Sequence, residues 1–300
     1  MKLGKLKTTL FAAAGALLMG CATAPAEPQF PPGPALFVAR DADSTMYLFG
    51  TLHIRRSGAP WGGAQAQAGL AEAAEVWTEM LISPETDAQT QSLAIQHGMA
   101  EEGRPLSSYF SAEENARIAA TAQRLGLQMQ MLERMKPWLV GVTLSVMPML
   151  QAGYDPAQGA DRLIDAYADQ HGKTQRSFET AEEQIRMLAG FSDEVQRQMV
   201  LEALDEIDEG GTQMETMATA WETGDLATLE RMVVTEFRTE YPEFYEKLLA
   251  DRNDAWVETL DAELRGAGVD FVAVGAGHML GEDGVVAQLR ARGYTVERVE

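Results

Sequence analysis

Four histidines stand in the chain, His53, His97, His171 and His278, and two of them share a local frame. Tyr47-Leu48-Phe49-Gly50-Thr51-Leu52-His53 and Phe271-Val272-Ala273-Val274-Gly275-Ala276-Gly277-His278 are each an apolar strand running into G-x-x-H. Glycine lets the chain turn sharply or approach another backbone closely. The histidine then projects beyond the strand end, where α/β sheets place ligands. Imidazoles so placed suit proton transfer or metal ligation. They meet only if the two strands are neighbours in one sheet, and two strand-capping structural histidines would leave the same pattern.

Three further residues belong to the same argument. Glu79 lies in Glu75-Val76-Trp77-Thr78-Glu79-Met80-Leu81, where strand alternation puts it on one face with Trp77 and Leu81. A carboxylate there needs a cation, a metal or a proton, unless the strand is an edge and Glu79 faces water. Arg252 and Asn253 interrupt an apolar stripe of Tyr245, Leu248, Leu249, Trp256 and Leu260 at helical spacing. Arg252 is four residues from both Leu248 and Trp256, so it points with the core face. A buried arginine must be paired, either to orient a carboxylate or substrate anion or as half of a structural ion pair. Glu179, at a strand end in Phe178-Glu179-Thr180, is a second carboxylate for a base or ligand role.

The elements that must position these residues are legible as patterns. Leu36–Arg40 and Thr45–Gly50, separated by Asp41-Ala42-Asp43-Ser44, read as a hairpin. Gly62–Ala74 is helix-compatible and leads to a strand at Glu75–Ile82. Helices dominate from about 85 to 172, with a capping box at Ser111-Ala112-Glu113-Glu114 and Pro137 opening the apolar segment Trp138–Gln151. That segment is too short to span a bilayer and reads as a buried helix. Lys173–Glu179 is a short strand, and a helix follows from Ala181. Residues 192–265 are helical, with breaks at Gly210-Gly211 and Gly224. Asp270–Gly275 is a strand, Glu282–Arg292 a helix and Tyr294–Val299 a last strand. Strands at both chain ends around a large helical middle predict an α/β or α+β domain built on one sheet.

Composition narrows the function classes. The 300 residues carry 24 Lys+Arg against 45 Asp+Glu, a net charge of −21. That excludes a basic nucleic-acid face and a polybasic membrane surface. One cysteine excludes a disulfide framework and a multi-thiolate zinc site. Gly275-Ala276-Gly277 lacks the third glycine of a dinucleotide fingerprint, Leu280 standing in its place, and no G-x-S-x-G, H-E-x-x-H or Walker loop is present. Lys2, Lys5 and Lys7 followed by an apolar run read as a secretory signal over residues 1–20. It ends in Leu18-Met19-Gly20-Cys21, similar to a bacterial lipoprotein box, so Cys21 is expected to become a lipidated first residue. Residues 21–35, rich in Pro and Ala, read as a tether, and 36–300 as one domain. By analogy with such lipoproteins, Ala22 after the cysteine points to a lipid anchor on the periplasmic face of the outer membrane, in the cell envelope.

With these landmarks in view the chain resembles the TraB/PrgY/GumN family. The resemblance rests on YLFGTLHI at 47–54, Glu79, Trp138, Phe178-Glu179-Thr180 with Gln184, Trp221 with Gly224-Asp225, Arg252-Asn253 with Trp256, and FVAVGAGHMLGEDGVVAQLRARGYTV at 271–296. It spans about residues 36–300 and implies a mixed central sheet surrounded by helices. Through its likeness to the TIKI metalloproteases it implies a divalent-metal hydrolase, peptidase-like, whose ligands are His53, His278 and Glu79. Two neutral imidazoles and a carboxylate suit Mn, Co or Zn. Alternatively Glu79 is a general base off the metal, or, as likeness to the erythromycin esterases permits, His53 activates water without one. The competing class is a non-catalytic lipoprotein that captures haem, as likeness to the ChaN lipoproteins permits, or a peptide signal.

Overall fold

The computed structural model describes residues 33–58 and 60–300; the expected signal, Cys21 and nearly all of the tether lie outside them. Among the described residues eight strands occur in chain order: β1 (Leu36–Arg40), β2 (Ser44–Thr51), β3 (Arg55–Arg56), β4 (Glu75–Met80), β5 (Tyr154–Asp155), β6 (Thr174–Glu179), β7 (Gly268–Gly275) and β8 (Thr295–Arg298). Six of them form one mixed sheet in the order β6-β4-β7-β2-β1-β8, and β3 and β5 make a small separate ribbon. β1 and β2 form the expected hairpin, Phe37 opposite Leu48. Its turn is tied by Asp41, whose carboxylate accepts from the Asp43 and Ser44 amides at 3.1 and 2.9 Å.

The condition set by the two G-x-x-H frames is met. β7 pairs with β2 in parallel over its full length, from Ser44 opposite Gly268 to Thr51 opposite Gly275. β4 flanks β7 on the other side, also parallel, and β6 flanks β4. The carboxyl ends of β2, β7, β4 and β6 therefore open on one edge of the sheet. The approach there is tight. A methyl at Gly50 would stand 2.8 Å from the Ala276 Cα, so only glycine lets the chain beyond β7 pass over β2.

Helices cover both faces. On one, Tyr47, Phe49 and Phe271 pack with Trp61, and Phe49 meets Trp221 edge-on with ring centroids 6.3 Å apart. The Trp221 indole N–H donates to the Gly50 carbonyl at 2.7 Å in the core. On the other face, Trp77, Phe178 and Trp256 stack in series at 5.2 and 5.0 Å. A second apolar core lies in the helical middle, where helix Pro137–Gln151 packs on helix Asp193–Asp208. Gly141 meets Met199 closely there: a methyl at Gly141 would stand 3.0 Å from the Met199 Cβ. The apolar 137–151 segment is thus partly buried, and no helix of the described residues is long and apolar enough to cross a membrane.

Three local expectations change. Leu81 stands past the end of β4 and is 41% exposed, so Glu79's apolar neighbours are Trp77 and, from β6, Phe178. The stripe from Tyr245 to Leu260 is not one uniform α-helix. A π turn at Glu246–Ala250 precedes helix Asp251–Leu264, and the Leu248 carbonyl accepts from the Arg252 guanidinium at 3.0 Å. Such turns re-aim the residues that follow them. The helix expected at 282–292 spans only Val285–Ala291, because Gly281 adopts a positive φ of 77° and residues 281–284 form a loop.

Candidate active site

Glu79, the penultimate residue of β4, is the hub of the strand-end cluster. Its Oε1 accepts from the Gly275 amide at the end of β7 at 2.7 Å. A Cβ at Gly275 would sit 3.1 Å from that oxygen. Its Oε2 accepts from Arg252 Nη2 at 2.6 Å and from Gln184 Nε2 at 3.3 Å. Arg252 also grips Glu179 with two bonds, Nε to Oε1 at 2.7 Å and Nη2 to Oε2 at 2.8 Å. The Trp256 indole donates to the same Glu179 Oε1 at 3.1 Å, and its ring lies 4.6 Å under the guanidinium. The three charged side chains are 10–14% exposed. The sheet thus buries two carboxylates against one arginine, a geometry only a planar fork serves.

The two histidines reach the hub from opposite sides, in opposite states. His278 follows β7 on the Trp256 side and is nearly sealed, 4% exposed. Arg252 Nη1 faces its Nε2 at 3.1 Å. A guanidinium can only donate, so Nε2 accepts and the ring proton is on Nδ1. Nδ1 donates to Asn253 Oδ1 at 2.7 Å, and Asn253 is itself oriented by donating to the Asp283 carbonyl at 2.9 Å. Burial, reinforced by the Arg252 and His53 charges against the pull of Glu79, pushes the His278 pKa down to about 3. It is a neutral ring with a lone pair aimed at the cluster.

His53 lies beyond β2, with 58% of its side chain exposed. Its Nδ1 pairs with Asp161 Oδ2 at 3.1 Å. Crowding by the protein opposes its charge. That opposition is weak for so exposed a ring, and Asp161 with Glu79 raises its pKa. Asp161 opens helix Ala160–Gln170, which abuts the His53 loop: the Ala160 amide donates to the Leu52 carbonyl at 2.9 Å, and a methyl at Gly159 would strike the His53 carbonyl. For Glu79 burial would raise the pKa. Arg252, His53 and the Gly275 amide outweigh burial and hold it well below the usual carboxylate range.

Both imidazole Nε2 atoms face Glu79 Oε1, His53 at 3.9 Å and His278 at 3.8 Å. They cannot be farther apart than about 7.7 Å, the sum of those distances. The structure therefore brings together His53, Glu79, His278, Arg252, Asn253 and Glu179. His97, in the last turn of helix Pro84–Gly98, and His171, stacked on Tyr167, make no recorded contact with them. A cavity of about 220 Å³ opens on the His53 side, lined by Thr51, Thr78, Glu79, Asp161 and Gln184. The Thr51 hydroxyl beside it is buried without a partner.

Four participants escaped the sequence reading as site residues: Asp161, Gln184, Trp256 and Thr51. An acid in the first turn of a helix is what the helix dipole favours anywhere, so Asp161 carried no distinguishing signal. Gln184 sits at an ordinary helix position, and Trp256 reads from the sequence as a core residue of the stripe, with nothing to mark its indole N–H as a partner of Glu179. Thr51 lies inside the first G-x-x-H frame, where a threonine is an ordinary strand residue.

The donor types suit a divalent ion: two imidazoles and a carboxylate oxygen, in a cluster where Glu79, Glu179 and Asp161 outnumber Arg252. The His278 Nε2 lone pair accepts from Arg252 and His53 is favoured as its cation, so binding an ion must displace both protons. The spacing is wider than a bound set. Ligand atoms around a tetrahedral zinc with bonds of about 2.0–2.1 Å stand roughly 3.4 Å apart. Among the described residues no group of three or more His, Cys, Asp or Glu is drawn in tightly enough to hold a metal.

Parallel strands ending in a His–Glu–Arg cluster, under helices on both faces, define an α/β protein with its polar site at the sheet's carboxyl edge. The family model of the TraB/PrgY/gumN family matches residues 35–298, and the chain belongs to that family. No curated protein and no solved structure matches it.

Proposed function

We propose that the protein is a metal-dependent hydrolase of the cell envelope, acting on peptide-like or other small substrates. One observation carries the reading: two imidazole nitrogens each stand within 4 Å of one carboxylate oxygen at the ends of three adjacent parallel strands. His53, His278 and Glu79 would hold Mn, Co or Zn, which when bound lowers the pKa of a water and polarises the scissile carbonyl. The chain's own groups supply the rest. Asn253 holds the proton of neutral His278 on Nδ1, so its Nε2 lone pair, which accepts from Arg252 Nη1, would turn to the metal. Glu79 stays ionised because Arg252 and the Gly275 amide favour its charge. His53, whose Nδ1 is held by Asp161 and whose ring is open to the cavity, would bind the metal through Nε2. The Trp77–Phe178–Trp256 stack keeps water from the far side of Glu79. Substrate enters from the His53 side, and a 220 Å³ cavity suits one side chain or a small molecule better than a macrocycle, since drug-sized ligands occupy roughly 300–1,000 Å³.

The test is metal analysis of the purified protein with a peptide-library digest under Mn, Co or Zn add-back. His53→Ala and His278→Ala are expected to abolish metal retention and cleavage, and His97→Ala neither. Cleavage that survives either strand-end variant, or a haem absorbance band in the purified protein with no retained metal, refutes the reading. The same proposal places the protein on a lipid anchor at Cys21. Cys21→Ser is expected to release it from membranes, and a variant that still sediments at mature size removes the anchor.

A further inference from the structure

The helical middle carries a second cavity, of about 490 Å³, that shares no lining residue with the strand-end cavity. It is lined by helices Pro137–Gln151 and Asp193–Asp208 and by Phe237 and Phe244. Its walls are half-exposed Val146, Met149, Met199 and Met214. A contiguous apolar groove is uncommon on a monomer surface and marks a contact surface. Methionines suit such a surface, because their flexible thioethers repack against different shapes.

Charge decides what fits. Glu202 and Glu206 border the groove, and neither is paired with a basic side chain among the described residues. Glu202 meets only the Tyr241 hydroxyl. Glu206 accepts the Met214 amide through Oε1 at 3.0 Å, while its Oε2 is buried with no partner. An unpartnered carboxylate oxygen beside an apolar trough asks for a cation or donor carried by an apolar body. A second copy of a chain with net charge −21 brings the wrong sign, and so does an anionic lipid.

We infer that this groove docks a basic amphipathic peptide helix. Its apolar stripe fills the trough between the two helices, and a Lys or Arg at its edge pairs with Glu206 and Glu202. The volume admits a few large side chains, the stripe of a short helix and not a folded domain. The groove also reaches the proposed active site's supports. Tyr154 lines it and pairs in β5 with Arg56 of β3, three residues beyond His53, and Glu215, another lining residue, accepts from Arg56 at 2.8 Å.

The test is fluorescence-anisotropy titration of the full chain with a labelled Leu/Lys amphipathic peptide of about 18 residues, five helical turns. Controls are a peptide of the same composition with its stripe scrambled and a Leu/Glu counterpart. The expected result is saturable one-to-one binding of the first, at least about tenfold tighter than either control, a gap of about 1.4 kcal/mol. Glu206→Gln with Glu202→Gln should weaken it about tenfold, and Met149→Gln, at a half-exposed wall position away from the Gly141–Met199 contact, should weaken it through the trough without lowering the melting temperature. Equal binding of the scrambled peptide means attraction to an acidic chain alone and overturns the inference. So does unchanged binding in both the charge and the trough variants, which bear on the groove whether or not the protein hydrolyses anything.

Discussion

Replacing Arg252 by Met removes the only cation between two buried carboxylates. Arg252 makes five polar contacts, to Glu79, twice to Glu179, to the Leu248 carbonyl and to His278. Counted separately at about 1.5–3 kcal/mol each for charged hydrogen bonds, they would rival the roughly 5–15 kcal/mol stability of a whole domain. They share one side chain and cannot add. The better guide is the cost of orphaning a buried ion, about 3–5 kcal/mol. With Glu79 and Glu179 still 13–14% exposed, the lower end applies, about 3 kcal/mol. At about 2–4 °C per kcal/mol for a chain of this size, the melting temperature should fall by about 10 °C. The loss should depend on pH. Without the guanidinium the two carboxylates face one another through Gln184 alone, at 3.3 and 3.0 Å, and one proton relieves them. In the parent protein Glu79's depressed pKa makes its contribution complete above about 4.5, lost only as pH falls through the depressed value. The variant's deficit should therefore narrow between about pH 7.5 and pH 5.5, by at least about 1 kcal/mol. Urea unfolding at both pH values measures it. Arg252→Lys keeps the charge without the fork and should lose less. A deficit under about 1 kcal/mol at neutral pH, or one that does not shrink in acid, would refute the account of Arg252 as the buried countercharge.

Two further perturbations probe the other side of the hub and the strand approach. Asp161→Asn should bring the His53 pKa down towards the free value of about 6.5, read by NMR titration of the ring. Because the parent pKa is raised, the stability this pair contributes is complete below about 6.5 and lost as pH rises through the raised value, so the Asn variant should differ from the parent at pH 6 and converge with it in strong alkali; an unmoved ring resonance would show that Asp161 is not the cause. Gly50→Ala places a methyl 2.8 Å from the Ala276 Cα, backbone that cannot step aside, and should cost about 1–3 kcal/mol in thermal unfolding. Gly33→Ala, with open space around it, should cost nothing, and equal melting of the two variants would contradict the tight crossing.

Much of the frame is legible in the chain because it is local. The hairpin, the capping box at Ser111 and the strands at both ends follow from alternation and punctuation. The strand order is not local: nothing in Asp270–Gly275 says that it inserts between β2 and β4, 200 residues away, yet that insertion is what gathers His53, Glu79 and His278. Arg252 announced itself as a charge in an apolar stripe, while the π turn that precedes it did not, since its residues keep ordinary helical spacing.

The two G-x-x-H frames show where a motif stops being informative. They are nearly the same words, and they deliver two imidazoles to one carboxylate oxygen at almost the same distance. Yet one ring is driven neutral and the other towards its cation. The difference lies in which face of the sheet each loop turns to. Beyond β7 the chain packs against Trp256 and Asn253, where burial and a guanidinium strip the proton from Nε2. Beyond β2 it meets the first turn of a helix and open water, where Asp161 favours the charge. A sheet edge with one dry and one wet side thus makes two differently protonated imidazoles from a single repeated motif, and in the proposed metal site the wet one would give up its proton on binding.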